Sequence, residues 1–222
     1  MNIELKKRII TSCFLLLLLV LMFFYTFILI ISLIIIAIIC WIEFYALISK
    51  ILKKNNRTIK ILRFFYKAIS LIYLSILVCY ILIAKSANNV SEIFVIYSIL
   101  ISIMSDTGGL IVGRIFKGQK LTKISPKKTI SGSMGSFIFS LALIPFFKQY
   151  LTTIDLVSLI GSTIIISFAS QVGDLFISYL KRKAKVKDTS DLLPGHGGFL
   201  DRVDGIIFSV PVGILTLNYF LI

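Results

Sequence analysis

The sequence predicts an all-α polytopic membrane protein with about seven transmembrane helices and a cytoplasmic N-terminus. Three observations predict this fold class. Hydrophobic residues make up 58% of the 222 residues and charged residues only 15%, which is not the composition of a soluble domain. Apolar runs long enough to cross a bilayer recur along the chain. Basic residues cluster between alternate runs, as they do in the cytoplasmic loops of membrane proteins.

The first apolar run, residues 9–48, is too long for one span. As a single helix it would measure about 60 Å, about twice the thickness of the hydrocarbon core, so two spans joined by a tight turn are predicted. Its start resembles a signal peptide, but the apolar stretch is too long and no A-x-A-like site follows, so we expect a retained span. The later candidate spans are residues 68–84, 93–112, 133–147, 156–180 and 206–222.

The Lys and Arg residues predict the orientation of these spans. With the N-terminus inside, 22 of the 24 basic residues fall in cytoplasmic segments, and only Lys85 and Lys148 fall outside. This alternation favours seven spans. The cytoplasmic segments are the N-terminus and the loops near residues 50–67, 113–132 and 181–205. We expect one integral membrane domain, with an N-terminal helix pair and basic loop in residues 1–67 and a C-terminal transmembrane catalytic region in residues 68–222.

The net charge of +14 has a membrane explanation, since anionic lipid attracts basic loops. Aromatic residues do not alternate with the basic ones as a nucleic-acid stacking surface requires, so membrane lipids and no nucleic acid are expected as partners. Nothing beyond topology and lipid contact is assigned to residues 50–67.

The three cysteines, Cys13, Cys40 and Cys79, lie in apolar runs without metal or disulfide spacing and are predicted to be free and buried.

Two of the cytoplasmic segments carry acids, glycines and hydroxyls as well as cations. In the first, Asp106 lies in or at the end of a span, where a carboxylate is costly and usually functional. Gly108, Gly109 and Gly113 allow close approach of either a neighbouring helix or a ligand. The turn SPKKT is a candidate phosphate cradle, and its candidate ligands are Ser125, Lys127, Lys128 and Thr129.

The second segment begins inside the span at residues 156–180. Asp174, Ser178, Lys181 and Arg182 are spaced i, i+4, i+7 and i+8, so they share one face of a helix. One interpretation is a polar face that leads from a buried acid to cations at the cytoplasmic edge. The alternative is that Asp174 pairs with Ser178 and a neighbouring helix, while Lys181 and Arg182 extend to the membrane surface.

The stretch LLPGHGGFLDRVDG, residues 192–205, gathers much of the scarce polar chemistry of the chain. It holds the only histidine, His196, three glycines that suit a tight loop with exposed N–H groups, and two acids, Asp201 and Asp204. Mg²⁺ takes one or two carboxylates plus substrate phosphates, and Lys and Arg neutralise a transferred phosphoryl group. Zinc is not expected, because no second His or Cys is near. We therefore predict a nucleotide phosphate site at the cytoplasmic membrane face.

The run SYLKRKAKVKDTSDLLPGHGGFLDRVD, residues 178–204, resembles the signature of the phosphatidate cytidylyltransferase (CDP-diacylglycerol synthase) family along its full length. GDLF before it and ISPKKTISG upstream are also similar to that family. The resemblance covers residues 105–222 and implies a reaction in which CTP and phosphatidate give CDP-diacylglycerol and pyrophosphate. It also implies a multi-pass enzyme of phospholipid biosynthesis in the bacterial cytoplasmic membrane, and a homodimer.

The resemblance also implies roles for individual residues. Asp174 and Asp201 match acids that hold Mg²⁺, with a monovalent cation such as K⁺ nearby, and Asp174, Lys181, Arg182 and Asp201 are the implied catalytic residues. The other matching positions are implied to bind substrate, and these are Ser178, Lys187, Asp188, His196, Gly197, Gly198, Arg202 and Asp204. The chain departs from the family at Ile177 and Ser131, where relatives often have Glu.

Other functions stay open at this point. A membrane cytidylyltransferase for another lipid phosphate, such as a CDP-archaeol synthase, would carry the same signature. The CDP-alcohol phosphotransferases are excluded, because their D-G-x-x-A-R pattern is absent. A rival from a different class is an ion-coupled transporter that uses Asp106 and Asp174. Transporters usually contain internal repeats, and none is evident between the halves of this chain.

Overall fold

Helices account for most of the chain in the computed structural model, which describes residues 3–54, 56–87, 89–122, 125, 128–195 and 197–220. In chain order they are α1 (Ile3–Phe24), α2 (Thr26–Ile51), α3 (Arg57–Ala87), α4 (Asn89–Phe116), α5 (Ile130–Leu141), α6 (Ile144–Phe147), α7 (Leu156–Lys183) and α8 (Leu200–Tyr219). Within the described ranges the only β-type pairings are two isolated bridges, Lys120 with Thr129 and Leu193 with Gly197. The predicted all-α fold class is confirmed.

The long apolar run at residues 9–48 forms two helices, as predicted. The break falls at Tyr25, whose φ of −119° and ψ of 105° are extended rather than helical. The chain there is Phe-Tyr-Thr, and aromatic and β-branched residues lose side-chain freedom in a helix, so a break at this position is inexpensive. α1 and α2 then pack against each other.

Five helices of the described chain are long and apolar enough to cross a membrane. They are Thr26–Ile51, Arg57–Ser86, Val90–Phe116, Ile130–Phe147 (α5 and α6 taken together) and Leu156–Lys183, and a shorter apolar helix covers Ile10–Phe24. α8 is not among them, and its first five residues, Leu-Asp-Arg-Val-Asp, include two acids and an arginine. The predicted count of seven spans and the predicted orientation stay predictions.

Large apolar side chains point outward from these helices. Phe24 is 72% exposed, Phe27 74% and Phe64 69%. A water-soluble protein rarely exposes contiguous apolar surface on this scale, whereas lipid is a favourable solvent for it. The structure therefore has the surface of a membrane protein.

The chain forms two compact units. The first consists of Met1–Leu82 and Leu180–Arg202, and the second of Ile83–Tyr179 and Val203–Ile222. The first unit therefore combines α1, α2 and most of α3 with the last residues of α7, the following loop and the first turn of α8. The predicted functional division at residue 67 is a separate matter and stays a prediction.

The second unit is held together by an apolar core and by hydroxyl groups. Its buried core includes Phe94, Tyr97, Ile101, Leu159, Ile166 and Leu217. Hydroxyl pairs join its helices: Tyr97 Oη lies 2.6 Å from Thr163 Oγ1, and Ser102 Oγ lies 2.8 Å from Ser170 Oγ. Small hydroxyl residues at helix interfaces allow close packing and satisfy each other in lipid.

Glycines bring α4 and α5 into backbone contact. A Cβ added at Gly108 would lie 2.6 Å from the carbonyl oxygen of Gly135, and one at Gly132 would lie 2.8 Å from that of Gly109. At Gly113 an added Cβ would lie 2.9 Å from Thr129 Oγ1. Of the two roles considered for the glycines of α4, the structure supports helix packing.

The cysteine prediction is only partly right. All three cysteines are free, and Cys40 is buried, but Cys13 and Cys79 are exposed on their helices. The prediction of burial was wrong for these two because an apolar side chain in a membrane-spanning helix can face lipid as well as protein.

Candidate functional site

A loop between α7 and α8 folds around the carboxylate of Asp201. Lys181 Nζ donates to Asp201 Oδ1 at 2.6 Å. Asp201 Oδ2 accepts from the backbone N–H of Thr189 at 2.8 Å, from Thr189 Oγ1 at 2.9 Å and from the backbone N–H of Gly198 at 3.1 Å. The Asp201 side chain is only 6% exposed, so these donors replace the water that an ionised carboxylate would otherwise require.

The donors around Asp201 also determine its acidity. Burial alone would raise the pKa of the Asp201 carboxyl. The hydrogen bond and the positive charge of Lys181, together with the N–H groups of Thr189 and Gly198, outweigh burial and hold this pKa below its ordinary value. Asp201 is therefore a stable anion at neutral pH.

Glycine is required at two adjacent positions of this loop. Gly197 has a φ of +80°, a conformation that side chains with a Cβ rarely adopt. A Cβ added at Gly198 would lie 1.9 Å from Thr189 Oγ1 and 2.7 Å from Glu43 Oε2. The N–H groups of both glycines, expected to be exposed, are instead used inside the loop, because Gly197 donates to Leu193 O and Gly198 donates to Asp201.

Two polar residues of the N-terminal helices contact this loop, and sequence reasoning missed both. Glu43 of α2 accepts hydrogen bonds from Thr189, Ser190, Phe199 and Leu200. Thr11 of α1 donates to the carbonyl oxygen of Pro194 at 2.9 Å. The signal for Glu43 was available, since it is the one acidic residue in the 26-residue apolar helix α2 and intramembrane carboxylates usually have a function.

The second unit holds the other predicted metal-binding acid, Asp174 of α7. Its Oδ2 is ion-paired with Lys128 Nζ, and its Oδ1 accepts from Ser178 Oγ at 3.4 Å. Asp106 of α4 is close enough to interact electrostatically with both Asp174 and Lys128. The structure thus brings one lysine of the SPKKT turn to the acid of α7, a contact that the sequence did not specify.

The rest of the SPKKT turn has local structural roles. Thr129 is the N-cap of α5, and its Oγ1 accepts from the backbone N–H of Gly132 at 3.1 Å. The carbonyl oxygen of Ser125 accepts from the backbone N–H of Lys128 at 3.0 Å. Lys127 lies outside the described residues. The predicted role of this turn in binding phosphate stays a prediction.

The remaining predicted site residues fall into both units. The helical register predicted for Asp174, Ser178, Lys181 and Arg182 is confirmed, because α7 runs without interruption to Lys183. Arg182, Lys187, Asp188 and Arg202 are exposed in the first unit. Asp204 is buried in the second unit, where its Oδ1 accepts from the backbone N–H of Gly205 at 2.9 Å. His196 lies outside the described residues.

The two positions that depart from the resembling family have ordinary surroundings. Ile177 of α7 is only 3% exposed, and a glutamate buried to that extent would need a partner. Ser131 Oγ accepts from the backbone N–H of Gly118 at 3.3 Å and lies 3.1 Å from Thr129 Oγ1. Ser131 therefore helps to close the loop that precedes α5.

The acids match the oxygen chemistry of Mg²⁺, which takes one or two carboxylates and fills its other positions with phosphate oxygens and water. Each acid already binds one cation. One carboxylate oxygen of Asp174 is ion-paired with Lys128, and one of Asp201 is ion-paired with Lys181. No group of three or more His, Cys, Asp or Glu side chains that could enclose a metal occurs among the described residues. Each acid, taken by itself, supplies hard oxygen atoms of the kind that Mg²⁺ takes alongside phosphate.

Comparison with known proteins places the chain in a family. The sequence matches the cytidylyltransferase family over residues 3–220, and the chain therefore belongs to this family. It is 42% identical over 134 residues to a phosphatidate cytidylyltransferase of Staphylococcus haemolyticus, which covers 58% of this chain and 49% of that relative. It is 39% identical over 150 residues to one of Rickettsia typhi, with 64% of each chain covered.

A phosphatidate cytidylyltransferase of Staphylococcus aureus is 39% identical over 132 residues, with 58% of this chain and 49% of that relative covered. The chain thus spans from about half to just under two thirds of the length of these relatives.

Proposed function

We propose that this chain is a phosphatidate cytidylyltransferase, which transfers the cytidylyl group of CTP to phosphatidate and releases pyrophosphate. The observation that carries the proposal is the loop at residues 189–201. In a member of the cytidylyltransferase family, the acid and the lysine of the signature form a buried ion pair, with Lys181 Nζ 2.6 Å from Asp201 Oδ1. Fixed charges of both signs in a low-dielectric site are suited to phosphoryl chemistry.

In the proposed reaction, a phosphate oxygen of phosphatidate attacks the α-phosphorus of CTP. A new P–O bond forms, the bond between the α-phosphorus and the bridging oxygen breaks, and pyrophosphate leaves with that oxygen. Negative charge gathers on the non-bridging oxygens during the transfer, and fixed cations stabilise it without reorganisation. Lys181 and Arg182 of α7 and Lys128 of the SPKKT turn are the cations proposed for this role.

Mg²⁺ is the cofactor proposed for this reaction, with Asp174 and Asp201 as its protein ligands and a monovalent cation such as K⁺ nearby. Bound Mg²⁺ would neutralise charge on the triphosphate. The carboxylates supply hard oxygen atoms, and the low pKa of Asp201 keeps it anionic.

Other residues are proposed to contact substrate. They are the loop glycines Gly197 and Gly198, the SPKKT turn, and Ser178, Lys187, Asp188, His196, Arg202 and Asp204. The proposed location is the bacterial cytoplasmic membrane, with the site on the cytoplasmic side where CTP is found. The relatives are bacterial phosphatidate cytidylyltransferases, and the apolar helices suit a membrane. A homodimer is part of the proposal.

The direct test is incorporation of labelled CTP into lipid by the purified chain with phosphatidate and Mg²⁺. We expect a labelled CDP-lipid and an equal amount of pyrophosphate, and no product when phosphatidate is left out. An ether-linked lipid phosphate in a parallel reaction distinguishes a phosphatidate enzyme from one for another lipid phosphate. A chain that forms no CDP-lipid but carries ions across vesicles would instead be a transporter.

A further inference from the structure

Glu43 is a buried carboxylate with hydrogen-bond donors at both of its oxygens. It is 2% exposed and lies in the C-terminal half of α2. Its Oε1 accepts from Ser190 Oγ at 2.5 Å and from the backbone N–H of Phe199 at 3.1 Å. Its Oε2 accepts from the backbone N–H of Leu200 at 2.8 Å and from Thr189 Oγ1 at 3.0 Å.

These donors come from both ends of one loop. Thr189 and Ser190 follow α7, whereas Phe199 and Leu200 lead into α8. The N–H groups at the start of a helix lack partners within the helix and favour a negative charge. Glu43 therefore caps the start of α8 from another helix, and it joins the two ends of the loop, Thr189–Ser190 and Phe199–Leu200.

Glu43 also reaches Asp201 through one shared hydroxyl. Thr189 Oγ1 lies 3.0 Å from Glu43 Oε2 and 2.9 Å from Asp201 Oδ2. A hydroxyl has one hydrogen, so it can donate to only one of these two carboxylates at a time. Gly198 passes so close to this hydroxyl that a Cβ would not fit. The position of Asp201 is thus coupled to that of Glu43.

We infer that Glu43 is a positioning residue for the transfer reaction, acting through Thr189 to hold the signature loop and the Asp201 carboxylate in place. This inference rests on the proposed function. Glu43 touches neither substrate nor reacting atoms in this role. Two consequences follow: loss of the Glu43 charge should loosen residues 189–200 in the free protein, and it should lower kcat more than it changes KM.

The test compares Glu43→Gln with Glu92→Gln. Glu92 is also a glutamate of a long apolar helix, where it lies in the first turn and is paired with Lys85 in the other unit, so it controls for the loss of one partnered helix carboxylate. Amide hydrogen exchange of residues 189–200 is measured without substrate, and CDP-lipid formation is measured beside it. We expect Glu43→Gln to speed exchange and to reduce kcat, each by about tenfold or more, since hydrogen bonds to a charged group are lost. Glu92→Gln should match wild type both in the amide exchange of residues 189–200 and in kcat.

A second pair of variants keeps the test decisive if Glu43→Gln fails to fold. Thr189→Val preserves volume but removes the shared hydroxyl and should reproduce both effects to a smaller degree, whereas Thr189→Ser should restore them towards wild type. The inference would be overturned if Glu43→Gln or Thr189→Val showed the same exchange rate and kcat as wild type. Faster exchange with an unchanged kcat would also overturn it. A wild-type chain without CDP-lipid activity would defeat the proposed function instead, and the exchange comparison would still decide whether Glu43 holds the loop.

Discussion

A carboxylate in a membrane-embedded helix must be neutralised by a cation or by hydrogen bonds, and Asp174 has both kinds of partner in Lys128 and Ser178. Asp174→Asn preserves shape but removes the anion proposed to hold Mg²⁺. We expect CDP-lipid formation to fall by about 100-fold or more. The measurement is initial rate against Mg²⁺ concentration with the variant in detergent.

Asp155→Asn is the matched control for this substitution. Asp155 precedes α7, and its Oδ2 accepts from the backbone N–H of Ser158; Asn serves equally well at a helix N-terminus. Activity close to wild type is expected for Asp155→Asn. A monodisperse Asp174→Asn variant with unchanged rate and Mg²⁺ dependence would remove Asp174 from the proposed metal site.

The low pKa of Asp201 predicts a stability that depends on pH. Its pKa is lower in the folded protein than the ordinary value of about 3.9 that it would have when unfolded. The ionised form therefore stabilises the fold above that value, and this contribution is lost as pH falls from there through the folded pKa.

The comparison that checks this expectation is thermal unfolding of wild type and Asp201→Asn between pH 7 and pH 3. We expect Asp201→Asn to unfold at a lower temperature at neutral pH, because Lys181 and the loop N–H groups lose an anionic acceptor. The difference should stay constant down to about pH 5 and shrink below about pH 4. A difference that does not depend on pH would contradict the assigned ionisation.

At the scale of helices, the contact of α4 with α5 depends on glycine. A Cβ at Gly135 would lie 2.4 Å from Val112 Cβ and 2.8 Å from the carbonyl oxygen of Gly108, and backbone cannot move aside as a flexible side chain can. Gly135→Ala should therefore destabilise the protein by about 1–3 kcal/mol, as overpacking generally does.

Gly161→Ala is the control for the packing of α4 on α5. Gly161 is also a helical glycine, in α7, and a Cβ there would meet nothing within 4 Å. This variant should be neutral or slightly stabilising, since Ala favours helix more than Gly does. Equal unfolding temperatures for Gly135→Ala and Gly161→Ala would contradict the close approach of the two helices.

At the scale of the whole molecule, the 22-to-2 division of basic residues predicts which loops share a side of the membrane. Single cysteines at positions 88 and 120 are introduced into a chain that lacks Cys13, Cys40 and Cys79. We expect an impermeant thiol reagent to label position 88 from outside and position 120 only from the cytoplasmic side. Labelling of both positions from the same side would overturn the predicted topology.

The fold class and the region of the site were predictable because they depend on local properties of the chain. Apolar runs and their lengths identify helices in lipid, so the all-α class and the two-helix division of residues 9–48 follow from the sequence. The polar spacing along α7 is likewise local. The loop at residues 192–205 was recognisable because its composition differs from that of its surroundings.

The pairing of residues far apart in the chain was not predictable in this way. Nothing local to Glu43 indicates that it lies against Thr189 and Leu200, more than 140 residues later. Lys128 could have met any of several acids, and the structure pairs it with Asp174. The N–H groups of Gly197 and Gly198 were expected to be exposed, but they are used inside the loop.

The sequence by itself determined that this chain is helical and apolar and that it contains a cytidylyltransferase signature. Periodicity, composition and motif spacing depend only on residues that are consecutive in the chain. Only the tertiary structure decided how the signature loop is held. A buried carboxylate is stable only where donors from distant segments converge on it. That convergence around Glu43 and Asp201 depends on how α2, the loop and the start of α8 fold together, which no stretch of consecutive residues specifies.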